Sequence, residues 1–392
     1  MAGHKIGLPT AIALVVGNMI GTGIFSSLGF QVGAIPSVTV LLFLWICGGL
    51  AALCGGLSYM ELARLYPGPG GEYYYIRKAY PRLIAGFAGL VSVFAGFSAP
   101  VALSALAFSS YFSTIFPMWN VKVPALIVIT CITLFHSFSI KLGGHFQFLS
   151  TIIKITVLIV FILSGLCTNH MANPLLWTRT DLSLITSGGF AECLVYVSFA
   201  YSGWNACVYI FNEIRFPEKN IGRSILAGTL IVTLLYLFLN FVFLKNVPMT
   251  ALKDVVETGA VAAKAIFGTR GGHIMAVFIS LILVSSISAM VWIGPRVIDR
   301  MLVKGDRQVT GSESKVPLLA MLLQYLITIG LLLTETFRHI LVYTGILLCI
   351  SACLAVSTLF LAHKKVEKRK LIAPAIFILI NLYTLIVLCR QY

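Results

Sequence analysis

The sequence predicts an all-α polytopic membrane protein, and three observations carry that expectation. Apolar residues make up 59% of the 392 positions and charged residues only 10%, against about 25% charged in soluble domains. A soluble fold could not cover its surface with so few charges. Apolar runs recur along the whole chain at the length of about 20 residues that a spanning helix needs. Lys and Arg fall in short clusters between those runs.

Eleven such runs lie near 8–31, 37–60, 83–115, 123–140, 145–168, 189–212, 222–247, 272–296, 317–334, 339–362 and 371–389. Before the first, only His4 and Lys5 stand as charges or near-charges, with no small-residue cleavage site, so the run reads as a retained first helix. With the N-terminus inside, nineteen of the 28 Lys and Arg fall on the inner side, including Lys141, Arg296, Arg300, Lys304, Arg307, Lys315 and Lys365. Eight fall outside, and Lys154 lies within a span. That asymmetry is the positive-inside pattern, and a wrong helix count would scramble it.

The net charge of +15 is therefore a matter of topology. No basic face interleaved with aromatics is present, so no nucleic-acid partner is expected. The nine cysteines sit almost all inside apolar runs and form no CxxC pair. Cys349 and Cys353 are four apart on a predicted helix, but nothing completes a metal site. They read as small apolar fillers; neither metal nor cofactor is expected.

Two loops exceed what topology requires. Residues 61–82 hold Tyr66-Pro67-Gly68-Pro69-Gly70-Gly71-Glu72-Tyr73, a turn cluster that breaks any helix. Residues 248–271 hold the amphipathic stretch Ala260 to Phe267, expected as a lid on the outer face.

The first span reads Gly17-Asn18-Met19-Ile20-Gly21-Thr22-Gly23-Ile24-Phe25. Each interior glycine costs a helix about 1 kcal/mol, so an interruption is expected here. The ordinary alternative is close packing through the Gly17–Gly21 step. A dinucleotide loop is excluded, because no strand precedes and the glycine spacing differs. The sixth span reads Phe199-Ala200-Tyr201-Ser202-Gly203-Trp204-Asn205, again with helix-breaking residues near mid-span. Interrupted helices at corresponding positions of two halves point to a transporter binding site.

Unwound backbone survives at membrane depth only where it is buried in protein or lines a cavity. Each unmet polar group there costs several kcal/mol. A zwitterion satisfies both kinds of group. Its carboxylate is expected on the N–H groups of Gly21, Thr22 and Gly23, at the positive end of the outer half-helix. Its ammonium is expected on carbonyls at Met19 and Ile20, and near Phe199, Ala200, Ser202 and Gly203. Glycine lets the ligand approach the backbone closely.

Gly21-Thr22-Gly23-Ile24-Phe25 resembles the first-helix motif of the amino acid–polyamine–organocation (APC) superfamily. Pro67-Gly68-Pro69-Gly70-Gly71-Glu72-Tyr73 is similar to its loop after the second helix. Phe199 to Asn205, followed by Asn212-Glu213-Ile214 and Pro217, is similar to its sixth helix in the L-amino acid transporter branch. Gly294-Pro295-Arg296-Val297 resembles the end of its eighth helix. The resemblance covers roughly residues 6–390. It implies a LeuT-type 5+5 inverted-repeat fold with alternating access. The two repeats would be residues 6–168 and 189–362, with an extra helix at 371–389 and one transporter domain over 1–392. It also implies that Phe199 gates the substrate.

Lys154 sits in Ile152-Ile153-Lys154-Ile155-Thr156, about ten residues from either end of the fifth span. At 1.5 Å per residue that is roughly 15 Å from each surface. A central charge costs at least ~2.5–3.5 kcal/mol on insertion scales, so it reads as functional by default. The resemblance implies that the lysine stands where sodium-dependent relatives hold sodium, with Gly17, Ser285 and Ser286 as expected partners. A proton-coupled cycle and an obligatory exchange both stay open; a fixed ion-pair strut is the ordinary alternative. Glu192 reads as reaching the outer interface, Glu61 and Arg64 as facing the inner one. His136, Asn240 and Ser288 read as interhelical hydrogen-bonding groups.

The branch usually has twelve helices and this chain shows eleven. Animal members join a heavy partner through a cysteine between the third and fourth helices, and residues 113–123 hold none, so no disulfide-linked heavy subunit is expected. The expectation is a sodium-independent carrier of small neutral amino acids in the plasma membrane, with membrane lipid around it. An amine, polyamine or cationic amino acid carrier would need an acid in the pocket, for which Glu192 is the candidate. A membrane-embedded enzyme would need clustered His, Asp or Glu in the spans, and a channel would need a filter.

Overall fold

The computed structural model describes residues 5–68, 71–117, 120–138, 144–299, 317–362, 364 and 366–390. Pro69, Gly70, Lys141, Arg300, Lys304, Arg307, Lys315 and Lys365 lie outside the described residues, as does the side chain of Arg296.

Helices account for nearly all of the described chain. The first apolar run is not one helix but three pieces: α1 (Leu8–Met19), α2 (Thr22–Ser26) and α3 (Leu28–Ala34). Ile20 and Gly21 separate the first two, and Ile20 is extended at φ −73°, ψ 96°. The long α4 (Val38–Leu65) follows, opened by the Ser37 hydroxyl accepting from the Val40 amide. Such a cap satisfies one of the four donors a helix start leaves bare.

The turn cluster then ends α4, as its prolines and glycines require. Gly71, at φ 59°, opens a helix that the loop reading did not anticipate, α5 (Gly71–Ala79). Next comes α6 (Arg82–Ser113). Its middle, Ser92–Ser98, winds as a π-helix. Pro100 explains the widening, since it has no N–H to give the turn below it and its ring crowds the preceding carbonyls.

The remaining helices are α7 (Lys122–Phe138), α8 (Gly144–Leu166), α9 (Arg179–Ile185), α10 (Gly188–Ala200), α11 (Ala206–Tyr209), α12 (Pro217–Asn246), α13 (Met249–Leu252), α14 (Thr258–Asp299), α15 (Leu318–Thr334), α16 (Phe337–Leu361) and α17 (Ile372–Cys389). Every one of the eleven apolar runs meets helix. Among the described residues eight helices are long and apolar enough to cross a membrane. A ninth span results if α9 and α10, which meet at 63°, act as one. The shorter apolar helices α7 and α15 occupy two further runs. The chain is thus a multi-pass membrane protein. Its outer faces carry large apolar side chains such as Leu83 (86% exposed) and Leu319 (79%), as a lipid-facing surface requires.

The core lies where α1, α4, α10, α12 and α14 meet. Polar ties close its ends. On one face, Lys245 Nζ donates to the carbonyls of Gly165, Leu166 and Thr168 at 3.3, 2.6 and 2.7 Å. These are the bare acceptors at the end of α8, where a cation also suits the helix dipole. Asn173 Nδ2 caps the end of α12 in the same way, at 2.6 Å from Leu244 O and 2.7 Å from Val247 O.

Gly268, at φ 75°, divides the 258–299 helix. The expected amphipathic stretch 260–267 forms the arm before that kink. Its base is fastened to the first run: Thr258 Oγ1 donates to Phe25 O at 2.5 Å, and Asp254 N donates to Gly29 O at 2.9 Å.

Interhelical contact at the centre depends on glycine. A Cβ on Gly23 would stand 2.4 Å from Ala200 Cα, which is backbone and cannot yield. A Cβ on Gly86 would meet nothing within 4 Å. Gly23→Ala is therefore expected to destabilise by about 1–3 kcal/mol, the usual range for overpacking. Gly86→Ala should not destabilise, and by helix propensity should gain up to about 1 kcal/mol. Thermal unfolding of the detergent-purified variants checks both; equal melting temperatures would show that the crossing has slack.

Candidate functional site

The two interrupted helices cross at the centre of the protein. Glycine and β-branched residues end α1 at Met19, and the chain resumes helix at Thr22 with no side-chain cap on Gly21. The partner interruption covers residues 201–205 between α10 and α11, with Gly203 at φ 97°. A Cβ there would lie 2.7 Å from Asn18 Nδ2 and 3.0 Å from Asn18 O. Only glycine permits both that dihedral and that approach.

Breaking two helices leaves carbonyls and amides bare, and specific side chains receive them. Tyr236 of α12 is buried, and its hydroxyl donates to Met19 O at 2.6 Å and stands 3.2 Å from Ala200 O. One phenol thus reaches the carbonyl that ends the helix before each break. Asn18 Nδ2 donates to Gly203 O at 3.0 Å. Thr22 Oγ1 pairs with Ser104 Oγ of α6 at 2.6 Å. Tyr111 donates to Phe25 O at 2.8 Å and accepts from Gly259 N at 3.1 Å.

Lys154 is 1% exposed. Its ammonium donates to Gly17 O at 3.2 Å and lies 3.5 Å from Ser286 Oγ. Among the described residues it forms no ion pair with a carboxylate. Of the expected partners, Gly17 and Ser286 are in place. Ser285 is not among them, because its hydroxyl turns to Ser150 Oγ at 2.8 Å.

A cavity of about 110 Å³ opens beside the crossing. One water needs about 10–15 Å³ on that measure, so there is room for a ligand of several heavy atoms. From the expected set, Ser202 and Gly203 line it, together with Asn18. Met19, Ile20, Gly21, Thr22, Gly23, Phe199 and Ala200 are not in its wall. The contact of Gly23 on Ala200 closes the space between the breaks on that side. Phe199 is buried, and its carbonyl accepts the Ser202 amide at 2.9 Å. The wall is built from small residues, Gly48, Ala51 and Gly345, facing bulky ones, Trp204, Phe97 and Phe377.

Sequence reasoning missed four of these groups. Tyr236 looked like any tyrosine of an apolar run. The π-turn brings Ser92 and Gly96 to the wall, and Pro100 was its only signal. Phe377 and Asn381 come from α17, outside the ten-helix core on which transport was expected to depend. Glu72 supplies an acid to the wall, although it was read only as part of a turn. Glu192, the acid named instead, is tied up elsewhere: Arg338 Nη2 donates to it at 2.8 Å and Tyr196 also binds it. It is 9% exposed, so it does not reach out to the interface. His136 pairs with Ser288 at 2.8 Å as expected, whereas Asn240 Nδ2 stays within its own helix on Tyr236 O.

A bundle of apolar helices, two of them broken where they cross beside a cavity, has the architecture of a secondary transporter. The comparison with known proteins specifies which. The chain belongs to the amino acid permease family, which it matches over residues 6–390, and so to the APC superfamily. It is 29% identical over 297 residues to the serine/threonine exchanger SteT of Bacillus subtilis (strain 168), covering 75% of this chain and 67% of that protein. It is 30% identical over 273 residues to the b(0,+)-type amino acid transporter 1 of Mus musculus, covering 68% and 55%. The large neutral amino acids transporter small subunit 2 of Homo sapiens is 30% identical over 291 residues, covering 69% and 52%. The aligned stretch thus spans about half the length of the two mammalian relatives.

Tyr236→Phe leaves the ring and removes the donor shared by two buried carbonyls. An unsatisfied buried acceptor costs about 1–3 kcal/mol. The variant is expected to melt at a lower temperature and to bind substrate about tenfold more weakly. A variant matching the parent in both respects would show that the hydroxyl does not hold the crossing.

Proposed function

We propose that this protein is a sodium-independent exchanger of small neutral amino acids that works by alternating access. The observation that carries the reading is the pair of helix breaks crossing beside a cavity that Asn18, Ser202 and Gly203 line. The substrate carboxylate takes the amides of Gly21, Thr22 and Gly23, which start the outer half-helix and lack a side-chain cap. The ammonium takes carbonyls at Ile20 and Ser202. The Met19 carbonyl is engaged by Tyr236, so its role is to place that tyrosine. Phe199 gates the path once Gly23 and Ala200 part.

On this reading the whole chain is one transporter domain of eleven spans. Residues 6–168 and 189–362 form two inverted repeats of five helices, and α17 is an addition. The protein sits in the plasma membrane, or the inner membrane of a bacterium, with its N-terminus in the cytoplasm. It carries no disulfide-linked heavy subunit and catalyses no reaction. Lys154 replaces a sodium ion: its ammonium holds the inner half of α1 through Gly17 O, as a cation would.

The rival reading, a carrier of amines or cationic amino acids, draws on Glu72 in the cavity wall. Both oxygens of that carboxylate already accept hydrogen bonds, which favours the neutral substrate.

Liposomes holding the purified protein and loaded with unlabelled amino acids test the function. Labelled alanine and serine should enter by exchange without sodium, and labelled arginine should not. Lys154→Ala should insert normally and lose exchange by about tenfold or more, since a contact worth about 1.4 kcal/mol already makes that factor. Wild-type rates in this variant would remove the lysine from the mechanism.

A further inference from the structure

Glu72 is the acidic residue of the cavity wall, and the transport cycle just described gives it no task. It is 5% exposed. The Tyr59 hydroxyl donates to Oε1 at 2.7 Å, the Asn205 amide donates to the same oxygen at 3.1 Å, and the Ser351 hydroxyl donates to Oε2 at 2.5 Å. These donors stand on α4, on the break after α10, and on α16. One carboxylate carried by α5 therefore joins four segments in the cavity wall.

None of the three donors is charged. Among the described residues no Lys, Arg or His lies within ion-pair distance of Glu72. The titratable groups facing it are Tyr59 on α4, Tyr209 on α11 and Cys353 on α16. The other helix packed on α5, α6, brings Arg82, exposed at its start, and Tyr111 at its far end. On α5 itself, Arg77 binds the Tyr73 hydroxyl at 3.1 Å and Lys78 lies over the Tyr74 ring at 5.0 Å. Without a cation, burial pushes the Glu72 carboxyl above the usual carboxylate range, and the three hydrogen bonds pull it back only in part.

We propose that Glu72 is a proton-binding site whose occupancy fastens α5 to α4, to α16 and to the break after α10 in the cavity wall, so that acid on the α5 face holds these segments together and slows exchange. The proposal rests on the transport reading. Its sign follows from linkage. The buried carboxyl takes a proton more readily than one released into water, so protonation favours the arrangement in which Glu72 is buried. The ionised form favours release of α5. A neutral carboxyl can still hold the knot. Its protonated oxygen donates to a hydroxyl that turns to accept, and the other oxygen keeps the Asn205 amide.

Alanine exchange in liposomes, followed while the pH is varied on each face separately, tests this. The wild-type rate should rise with pH on the α5 face alone. Glu72→Gln should be slow and flat with pH, because it copies the neutral form. Ser351→Ala removes a bond that favours the anion, so its midpoint should move to higher pH by roughly half to one unit. That second variant keeps the proposal testable if the first fails to fold. A Glu72→Gln profile as steep as the parent's, or a Ser351→Ala midpoint that stays or falls, overturns it. So does a Glu72→Gln change in arginine-to-alanine preference with the pH profile intact, which would make the carboxylate a subsite for substrate charge. Alanine binding to the detergent-purified parent separates the two levels. Absence of binding at every pH defeats the transport reading itself, whereas binding with an unaltered Glu72→Gln profile defeats only the proton site.

Discussion

Main-chain polar groups cannot be left bare in a medium without water, and everything central in this protein answers to that constraint. Two helices are broken where they cross, so amides and carbonyls that would bond within a helix need other partners. Tyr236, Asn18, Thr22 and Tyr111 each make a bond at or beside the breaks. The partners come from α6, α12 and the base of α14, which draws distant parts of the chain to one point. The amide end of α2 has no side-chain cap, and on the proposed reading the carboxylate of a zwitterion meets it.

The lysine obeys the same rule from the opposite side. A buried ammonium without a carboxylate would be costly on its own. Carbonyl and hydroxyl dipoles supply what an acid does not, and the Gly17 carbonyl is available because α1 ends at Met19. The charge and the broken helix therefore need each other. This is why Lys154, among all the Lys and Arg of the chain, lies at mid-span.

Much of this was legible before any coordinates. The apolar runs placed the helices, because length and hydropathy alone decide what crosses a bilayer. Glycine and asparagine clusters at 17–23 and 199–205 located both breaks, since helix propensity acts locally. Lys154 was legible because a charge in an apolar run stands out, and its Gly17 contact because the family resemblance implied it. The groups contributed across the fold were not. Tyr236 and Glu72 are assigned their work by neighbours more than a hundred residues away, and nothing in their own windows reveals it. The helix over 71–79 was hidden by the turn residues before it, and the Ser285 hydroxyl could have faced either Lys154 or Ser150. Its neighbour Ser286, one residue further round the turn, faces the lysine.

That one-residue difference matters for how the two halves of the site communicate. Ser286 stands between the breaks and the lysine: a Cβ on Gly21 would lie 3.5 Å from its hydroxyl, and the lysine nitrogen is 3.5 Å from the same atom. On the proposed reading a carboxylate seated on the Gly21 amide arrives beside that hydroxyl. The hydroxyl has one proton, which it donates to Ile282 O at 3.1 Å. It can meet the carboxylate only by giving up that bond, while its lone pairs go on accepting from Lys154. A ligand at Gly21 therefore perturbs the lysine through a single shared atom, without moving a helix first. Coupling of this kind needs the serine to be poised between two acceptors, and α14 provides that position because a helix puts residues 282 and 286 on one face.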